Sequence, residues 1–339
     1  MTVRAFIAGC SGPELTPAET AFFREAEPWG FILFKRNVAS PGQVRALCDT
    51  LRACVGRADA PILIDQEGGR VQRMGPPHWP AYPPGRAYGR LHAHDPVACR
   101  ELTRLGARLI AHDLLSVGIN VDCLPVLDVP VEGAHDVIGD RAYSRDPATV
   151  AVLGRAAAEG LLAGGVLPVV KHIPGHGRAF ADSHLALPVV DASLHELEAH
   201  DFVPFRVLSD MPLAMTAHVV YASLDPDRPA TTSPKVMAEI VRGRMGFDGL
   251  VMSDDLSMQA LSGSFRQRAE ASFAAGCDMA LHCNGRMEEM TAVAEASPVL
   301  AGEALRRAEA ALQRIRHEPE PFDPVDARAR LDAALAVSA

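Results

Sequence analysis

A chain of 339 residues with 48% hydrophobic and 22% charged side chains can build one large domain or two small ones, within the ordinary range of globular proteins. Its net charge of −9 argues against a general nucleic-acid binder or a binder of anionic membranes, and no apolar run approaches the length of a membrane span. The seven cysteines (10, 48, 54, 99, 123, 277 and 283) are dispersed and lack C-x-x-C spacing, which fits a reducing cytoplasm better than a disulfide framework or a zinc ribbon.

The opening run Met1-Thr2-Val3-Arg4-Ala5-Phe6-Ile7-Ala8-Gly9 has too short an apolar core for a secretory signal and reads as a first strand. From there, short apolar runs alternate with longer amphipathic segments. Strands are expected at 3–8, 30–34, 61–64, 119–122, 166–170, 213–216, 249–252 and 278–281. Helices are expected at 17–26, 41–55, 96–117, 147–163, 194–208, 234–244, 265–275 and 287–316. Thr16-Pro17, Ser40-Pro41 and Ser233-Pro234 each offer a capping hydroxyl followed by a proline suited to the first helical position.

Strands that alternate with helices imply parallel β-α-β units, and eight such units imply a closed (β/α)8 barrel of the TIM type. A doubly wound open sheet is the alternative, but nothing resembling G-x-G-x-x-G follows the first strand, where Gly9-Cys10-Ser11-Gly12 is too short. Residues 75–88 form a proline-rich excursion, and 317–324 an acidic, proline-bearing linker before a last helix at 325–337. The expected organisation is therefore an α/β barrel domain over residues 1–316, with 317–339 a linker and helix packed on or trailing it.

A barrel of this kind carries its chemistry on the carboxyl ends of its strands. Charged residues do follow the expected strands: Asp65-Gln66-Glu67-Gly68-Gly69-Arg70 after the third, Asp128 and Asp140-Arg141 after the fourth, and Lys171-His172 at the fifth. His218 follows the sixth, Asp254-Asp255 the seventh, and His282 with Asn284 the eighth. The richest stretch runs from Lys171-His172-Ile173-Pro174-Gly175-His176-Gly177 to Asp182-Ser183-His184. In extended backbone, residues two apart share a side, so Asp182 can orient and charge-pair with His184, favouring proton transfer near neutral pH. Taken singly, these residues also have bland readings: Asp255 as a helix cap, Asp128 as a partner for a nearby base, the histidines as solvated side chains.

Three reaction classes could use such a mouth. Metal-assisted hydrolysis would enlist His172, His176 and His184, although they sit in a Pro-Gly loop. Schiff-base chemistry would use Lys171, although neighbouring carboxylates would keep it protonated. Retaining glycoside hydrolysis needs a carboxylate nucleophile and a proton donor, which Asp254 and His184 can supply.

Four motifs, Ile64-Asp65-Gln66-Glu67-Gly68-Gly69-Arg70-Val71, Lys171-His172-Ile173-Pro174-Gly175-His176-Gly177, Asp182-Ser183-His184 and Ser253-Asp254-Asp255-Leu256-Ser257-Met258, together resemble family-3 glycoside hydrolases. Within that family the likeness is to the bacterial β-N-acetylglucosaminidases of peptidoglycan recycling, and it runs in order from about Phe6 to Asn284. The resemblance implies a (β/α)8 barrel without the second α/β domain of larger members. It implies Asp254 as nucleophile, a choice that spacing alone cannot make over Asp255. It implies His184 as general acid/base on a mobile loop with Asp182 as its partner. Asp65, Lys171 and His172 match residues that bind sugar hydroxyls, Arg141 an arginine near the N-acetylated sugar, and Arg70 a further binding residue. Ile173 stands where phenylalanine is commoner, and Ala142-Tyr143 varies the usual Arg-Ser-Phe, but neither change removes a reacting group.

The expectation is a cytoplasmic, cofactor- and metal-free exo-β-N-acetylglucosaminidase that retains configuration. The resemblance implies as substrate GlcNAc β-1,4-linked to anhydro-N-acetylmuramic acid, with or without peptide. The sequence does not speak to oligomeric state, for which a monomer is the expectation, and charge and hydropathy predict neither a nucleic-acid nor a membrane partner. Glycines 175 and 177 would let the His184 loop swing in. With two tryptophans and four tyrosines, a small hydrogen-bonding pocket is expected in place of a long cleft of stacked sugars. A phosphorylase of the same family and a non-catalytic sugar-binding barrel are the alternatives.

Overall fold

The computed structural model describes residues 2–179, 183 and 187–337. Its barrel strands are β1 (Arg4–Gly9), β2 (Pro28–Leu33), β3 (Ile62–Ile64), β4 (Val121–Asp122), β5 (Leu167–Ile173), β6 (Leu213–Thr216), β7 (Leu250–Asp255) and β8 (Met279–His282). Each pairs in parallel with its sequence neighbours, and β1 pairs with β8, closing the barrel.

The near-continuous apolar character of these strands follows from burial on both faces. Along β1, Ala5 and Ile7 point into the barrel with Trp29, Leu63, Val169, Leu213 and Met252, while Phe6 and Ala8 point outward under the helices. The alternation of period two thus divides one apolar run between an inner core and an outer layer. Caps set the helix starts: Thr16 and Glu19 form a reciprocal capping box before Pro17–Ala26, and Ser40 caps Pro41–Val55.

Two expected helices are divided. The segment at 194–208 becomes Leu194–Ala199 and Val203–Val207. Between them Asp201, 1% exposed, turns inward and accepts a 2.6 Å hydrogen bond from Arg178 Nε, and Pro204 cannot donate to the preceding turn. The segment at 287–316 becomes Met287–Ala296 and Gly302–Gln313, interrupted at Ser297-Pro298, where the chain runs back along β1 through Ala5 N to Pro298 O at 2.9 Å. The proline-rich excursion also holds a helix, Gly85–His94.

The linker is anchored. Arg108 Nη2 donates to Glu320 O at 2.6 Å and its guanidinium carbon lies 4.0 Å from the Phe322 ring centre. The last helix, Pro324–Val337, buries Ala327 and Leu331 and lies against Pro96–Leu115. Among the described residues, no helix is long and apolar enough to cross a membrane.

Candidate active site

At the end of β3 the motif Asp65-Gln66-Glu67-Gly68-Gly69-Arg70 folds into a small hairpin, with Gln66–Gly68 pairing antiparallel to Val71–Gln72. Gly68 has φ +92°, and a Cβ there would sit 2.2 Å from Pro83 O, so only glycine fits this turn. The buried Gln66 amide fixes the return strand: its Oε1 accepts Arg73 N and Met74 N, each at 3.0 Å.

The hairpin thereby brings two carboxylates against the cation at the end of β5. Lys171 Nζ lies 3.0 Å from Asp65 Oδ1 and 2.7 Å from Glu67 Oε1. Arg73 Nη2 holds the other Asp65 oxygen at 2.8 Å, and Arg141 grips Glu67 with both Nε and Nη2 at 2.8 Å. Lys171 and Glu67 are nearly inaccessible, so each charge depends on its partners. Burial would raise the Asp65 carboxyl, but Lys171 and Arg73 hold it far below the usual range. Burial would lower Lys171, but Asp65 and Glu67 keep it an ammonium. A lysine so held is a poor Schiff-base nucleophile.

Beside this cluster, Asp128 is fully buried and serves the loop after β5. Its Oδ1 accepts His172 N at 3.2 Å and His176 N at 2.6 Å, and its Oδ2 faces His172 Nδ1 at 2.6 Å. Against the cost of burial, these histidines hold the carboxyl at about 2. Bonding through Nδ1 leaves His172 Nε2 without a protein partner among the described residues. The register between β5 and β6 shifts between Lys171 and Ile173, which lets the adjacent Lys171 and His172 both serve the mouth.

His176, 3% exposed, faces Ser183 Oγ through Nε2 at 3.1 Å, and burial pushes its ring down to about 4. The glycines of this loop are packed tightly. A Cβ on Gly177 would lie 2.1 Å from Val129 O, and the Gly175 carbonyl accepts Tyr221 Oη at 2.5 Å. Close approach of two backbones is thus the structural requirement at Gly177.

The adjacent aspartates ending β7 have different tasks. Asp255 uses both oxygens on its surroundings: Oδ1 accepts Ser257 N at 3.0 Å and Cys283 N at 3.1 Å, and Oδ2 accepts Ser257 Oγ at 2.5 Å. Asp254 accepts the Asp255 N–H at 2.7 Å through Oδ1, and its Oδ2 has no protein partner among the described residues. Burial would raise the Asp254 carboxyl, but His218, His172, the Asp255 amide and Lys171 together keep it below its ordinary value. It is an ionised carboxylate with an uncommitted oxygen.

Asp65, Arg141, Lys171, His172 and Asp254 line one cavity of about 180 Å³, together with Phe34 and Arg73. That is smaller than the roughly 300–1,000 Å³ of drug-sized sites and suits a single small polar ring. A larger cavity, of about 450 Å³, lies apart between residues 227–234 and 260–274 and shares no lining residue with it.

Arg70 is not at the cavity wall. It pairs with Asp140 at 2.8 Å and donates to the carbonyls of Asp136, Val137 and Ile138, bracing the segment that carries Arg141. Asp182 and His184 lie outside the described residues. Glu67 and Asp128 stand among the charged strand-end residues of the sequence, but the motifs assign neither a task at the site, and Arg73 is not singled out at all. Glu67 was visible within its motif, whereas nothing in the chain before folding marks Arg73, which reaches Asp65 only across the hairpin. Among the described residues, no group of three His, Cys, Asp or Glu side chains is placed to hold a metal ion.

Residues 23–317 match the family model described as "Glycosyl hydrolase family 3 N terminal domain". A β-hexosaminidase of Pseudomonas aeruginosa is 40% identical over 290 residues, covering 84% of this chain and 83% of that protein. One from Alkalilimnicola ehrlichii is 41% identical over 290 residues, covering 84% and 82%. The crystal structure of NagZ from Neisseria gonorrhoeae in complex with N-trifluoroacetyl-D-glucosamine superposes with a TM-score of 0.84 at 32% identity, covering 100% of this chain and 98% of that one. A family 3 β-N-acetylglucosaminidase from a Paenibacillus species gives a TM-score of 0.79 at 33% identity, covering 100% and 62%.

Proposed function

Because the chain belongs to glycosyl hydrolase family 3, we propose that it is a retaining exo-β-N-acetylglucosaminidase with Asp254 as nucleophile and His184, oriented by Asp182, as acid/base. The observation that carries the reading is the unequal use of the two aspartates: Asp255 is committed to Ser257 and Cys283, while Asp254 keeps an oxygen for the cavity. In the first step that oxygen attacks the anomeric carbon as the glycosidic C–O bond breaks, and His184 protonates the departing oxygen. In the second, water gives a proton to His184 and attacks the same carbon, releasing Asp254. Two inversions give retention.

Asp65, Lys171 and His172 hold the sugar hydroxyls, and Arg141 faces the acetamido side, each prepositioned by the partners described above. Arg73 shares Asp65 and closes the same wall. Arg70 acts one step away, through the 136–140 segment. A charged, hydrogen-bonding pocket of this kind prizes hydroxyl and amide geometry over stacking. The likeness to β-hexosaminidases, and to a NagZ structure holding an N-acylated glucosamine, supports a GlcNAc-containing substrate. On the motif resemblance we extend this to GlcNAc removed from the non-reducing end of peptidoglycan fragments, GlcNAc-β-1,4-anhydro-N-acetylmuramic acid with or without peptide, by a cytoplasmic monomer.

The test is aryl release from an aryl β-N-acetylglucosaminide, with EDTA present, beside the matching β-glucoside and Asp254→Asn. Release from the GlcNAc compound that falls by several orders of magnitude in the variant supports the reading. A variant that turns over at the wild-type rate removes Asp254 as nucleophile, and release that appears only with added phosphate makes the protein a phosphorylase.

A further inference from the structure

The β6–β7 ladder reaches Met215 opposite Met252, two residues short of Asp254. Beyond it the backbone bearing the nucleophile has no main-chain ladder to β6. Side chains take over. Asp254 N–H donates to Thr216 Oγ1 at 3.2 Å, and Thr216 Oγ1 lies 2.7 Å from Thr231 Oγ1. Thr231 Oγ1 lies 2.7 Å from His218 Nδ1 and 3.1 Å from the Ala217 carbonyl, and His218 Nε2 lies 3.0 Å from the Asp255 carbonyl.

The ends of this chain are chemically fixed. A backbone N–H can only donate, so Thr216 Oγ1 accepts from Asp254, and because Thr231's one hydrogen is taken by the Ala217 carbonyl or His218 Nδ1, the Thr216 hydroxyl hydrogen goes to Thr231. A carbonyl can only accept, so His218 Nε2 carries a hydrogen and gives it to Asp255. Thr231 has one hydroxyl hydrogen and two acceptors in reach, the Ala217 carbonyl at 3.1 Å and His218 Nδ1 at 2.7 Å; given to the nearer Nδ1 it leaves His218 a neutral ring, in keeping with the direction in which burial moves it. Thr216, Thr231 and His218 are all at most 1% exposed, so water does not substitute for any link.

We propose that Thr216, Thr231 and His218 form a positioning circuit for the reaction: they hold the Asp254–Asp255 backbone at the Asp254 N–H and the Asp255 carbonyl, fixing the nucleophile's height at the strand end while leaving its carboxylate oxygen uncommitted. The inference rests on the reading of Asp254 as nucleophile. None of the three side chains lines the cavity, so their effect is on the placement of Asp254 and not on sugar binding. Misplacing a reacting atom by about 1 Å costs on the order of a hundredfold in rate.

The experiment compares Thr216→Val, Thr216→Ser, His218→Leu and His218→Gln with wild type and Asp254→Asn. It measures kcat, KM, the inhibition constant of free GlcNAc and the melting temperature. Thr216→Val is isosteric, Thr216→Ser restores the hydroxyl, and His218→Gln retains a donor towards Asp255. Thr216→Val and His218→Leu are expected to lower kcat about 10–100-fold, with KM and the GlcNAc constant within about threefold. Thr216→Ser is expected to recover most of the rate. Losses in a Thr216→Val/Thr231→Val double variant are expected to fall short of the sum of the singles, as for members of one network.

A folded Thr216→Val that keeps wild-type kcat while Asp254→Asn is inactive overturns the circuit and leaves the nucleophile standing. A loss confined to KM or to melting temperature also overturns it. An active Asp254→Asn instead removes the premise. Should Thr216→Val fail to fold, His218→Gln against His218→Leu makes the same comparison from the other end of the chain of bonds.

Discussion

Arg141 and Glu67 form a two-pronged ion pair, Nε to Oε2 and Nη2 to Oε1, both at 2.8 Å, and the same Glu67 receives Lys171 at 2.7 Å. One buried carboxylate therefore sets the positions of two of the cations that line the cavity. Glu67→Gln keeps the shape but removes the charge that both cations were built around. Breaking a buried pair of this kind costs about 3–5 kcal/mol, less where a second partner remains, as Asp65 does for Lys171. Chemical denaturation is expected to show a loss of about 3 kcal/mol, and kinetics a larger rise in KM than fall in kcat. Unchanged KM would mean that the pair does not set the binding wall.

The two aspartates of β7 are expected to separate turnover from stability. Removing the Asp255 carboxylate strands the Ser257 and Cys283 amides, at about 1–3 kcal/mol for such a buried group. Asp255→Ala is thus expected to melt several degrees lower, while Asp254→Asn melts near wild type and loses its turnover. The reverse pattern, in melting curves and aryl release together, would exchange the roles.

His176 gives the protein an acid-side liability. Its native ring titrates at about 4 against an unfolded value near 6.5, so between those values the unfolded chain binds the extra proton. Stability contributed by the neutral buried ring is present above pH 6.5 and declines as pH falls towards 4, by up to about 1.4 kcal/mol per pH unit. Denaturation midpoints of wild type and His176→Gln, followed from pH 7 to 4.5, are expected to differ in slope, with the variant flatter. Parallel slopes would refute this.

Ser183 stands between Asp182 and His184 in the chain and is tied to His176 at 3.1 Å. Removing its hydroxyl costs about 1 kcal/mol of fold stability. If the tie helps present the acid/base, Ser183→Ala slows substrates with poor leaving groups, which need protonation, more than those with activated aryl groups. A rate loss equal across leaving groups would assign Ser183 to packing alone.

The sequence determined the barrel, because period-two apolar runs buried on both faces and capped amphipathic helices are local signals that survive without partners, as in β1 and in Pro17–Ala26. It also placed Asp65, Lys171, His172 and Asp254 at strand ends, and strand ends in a closed barrel converge. It overextended the helices at 194–208 and 287–316, because the inward pull on Asp201 and the return of Pro298 to β1 come from distant residues. Which oxygen stays free is set by contacts that exist only in the folded chain. Asp254 and Asp255 are chemically identical neighbours, and what distinguishes them is that Ser257, in the following loop, and Cys283, just past the next strand, occupy one of them. Likewise Arg70 and Arg73 lie three residues apart on one hairpin, and only its fold turns Arg73 towards Asp65 and Arg70 towards Asp140. Hydrogen-bond partners are assigned by position in space, and a linear pattern carries no record of them.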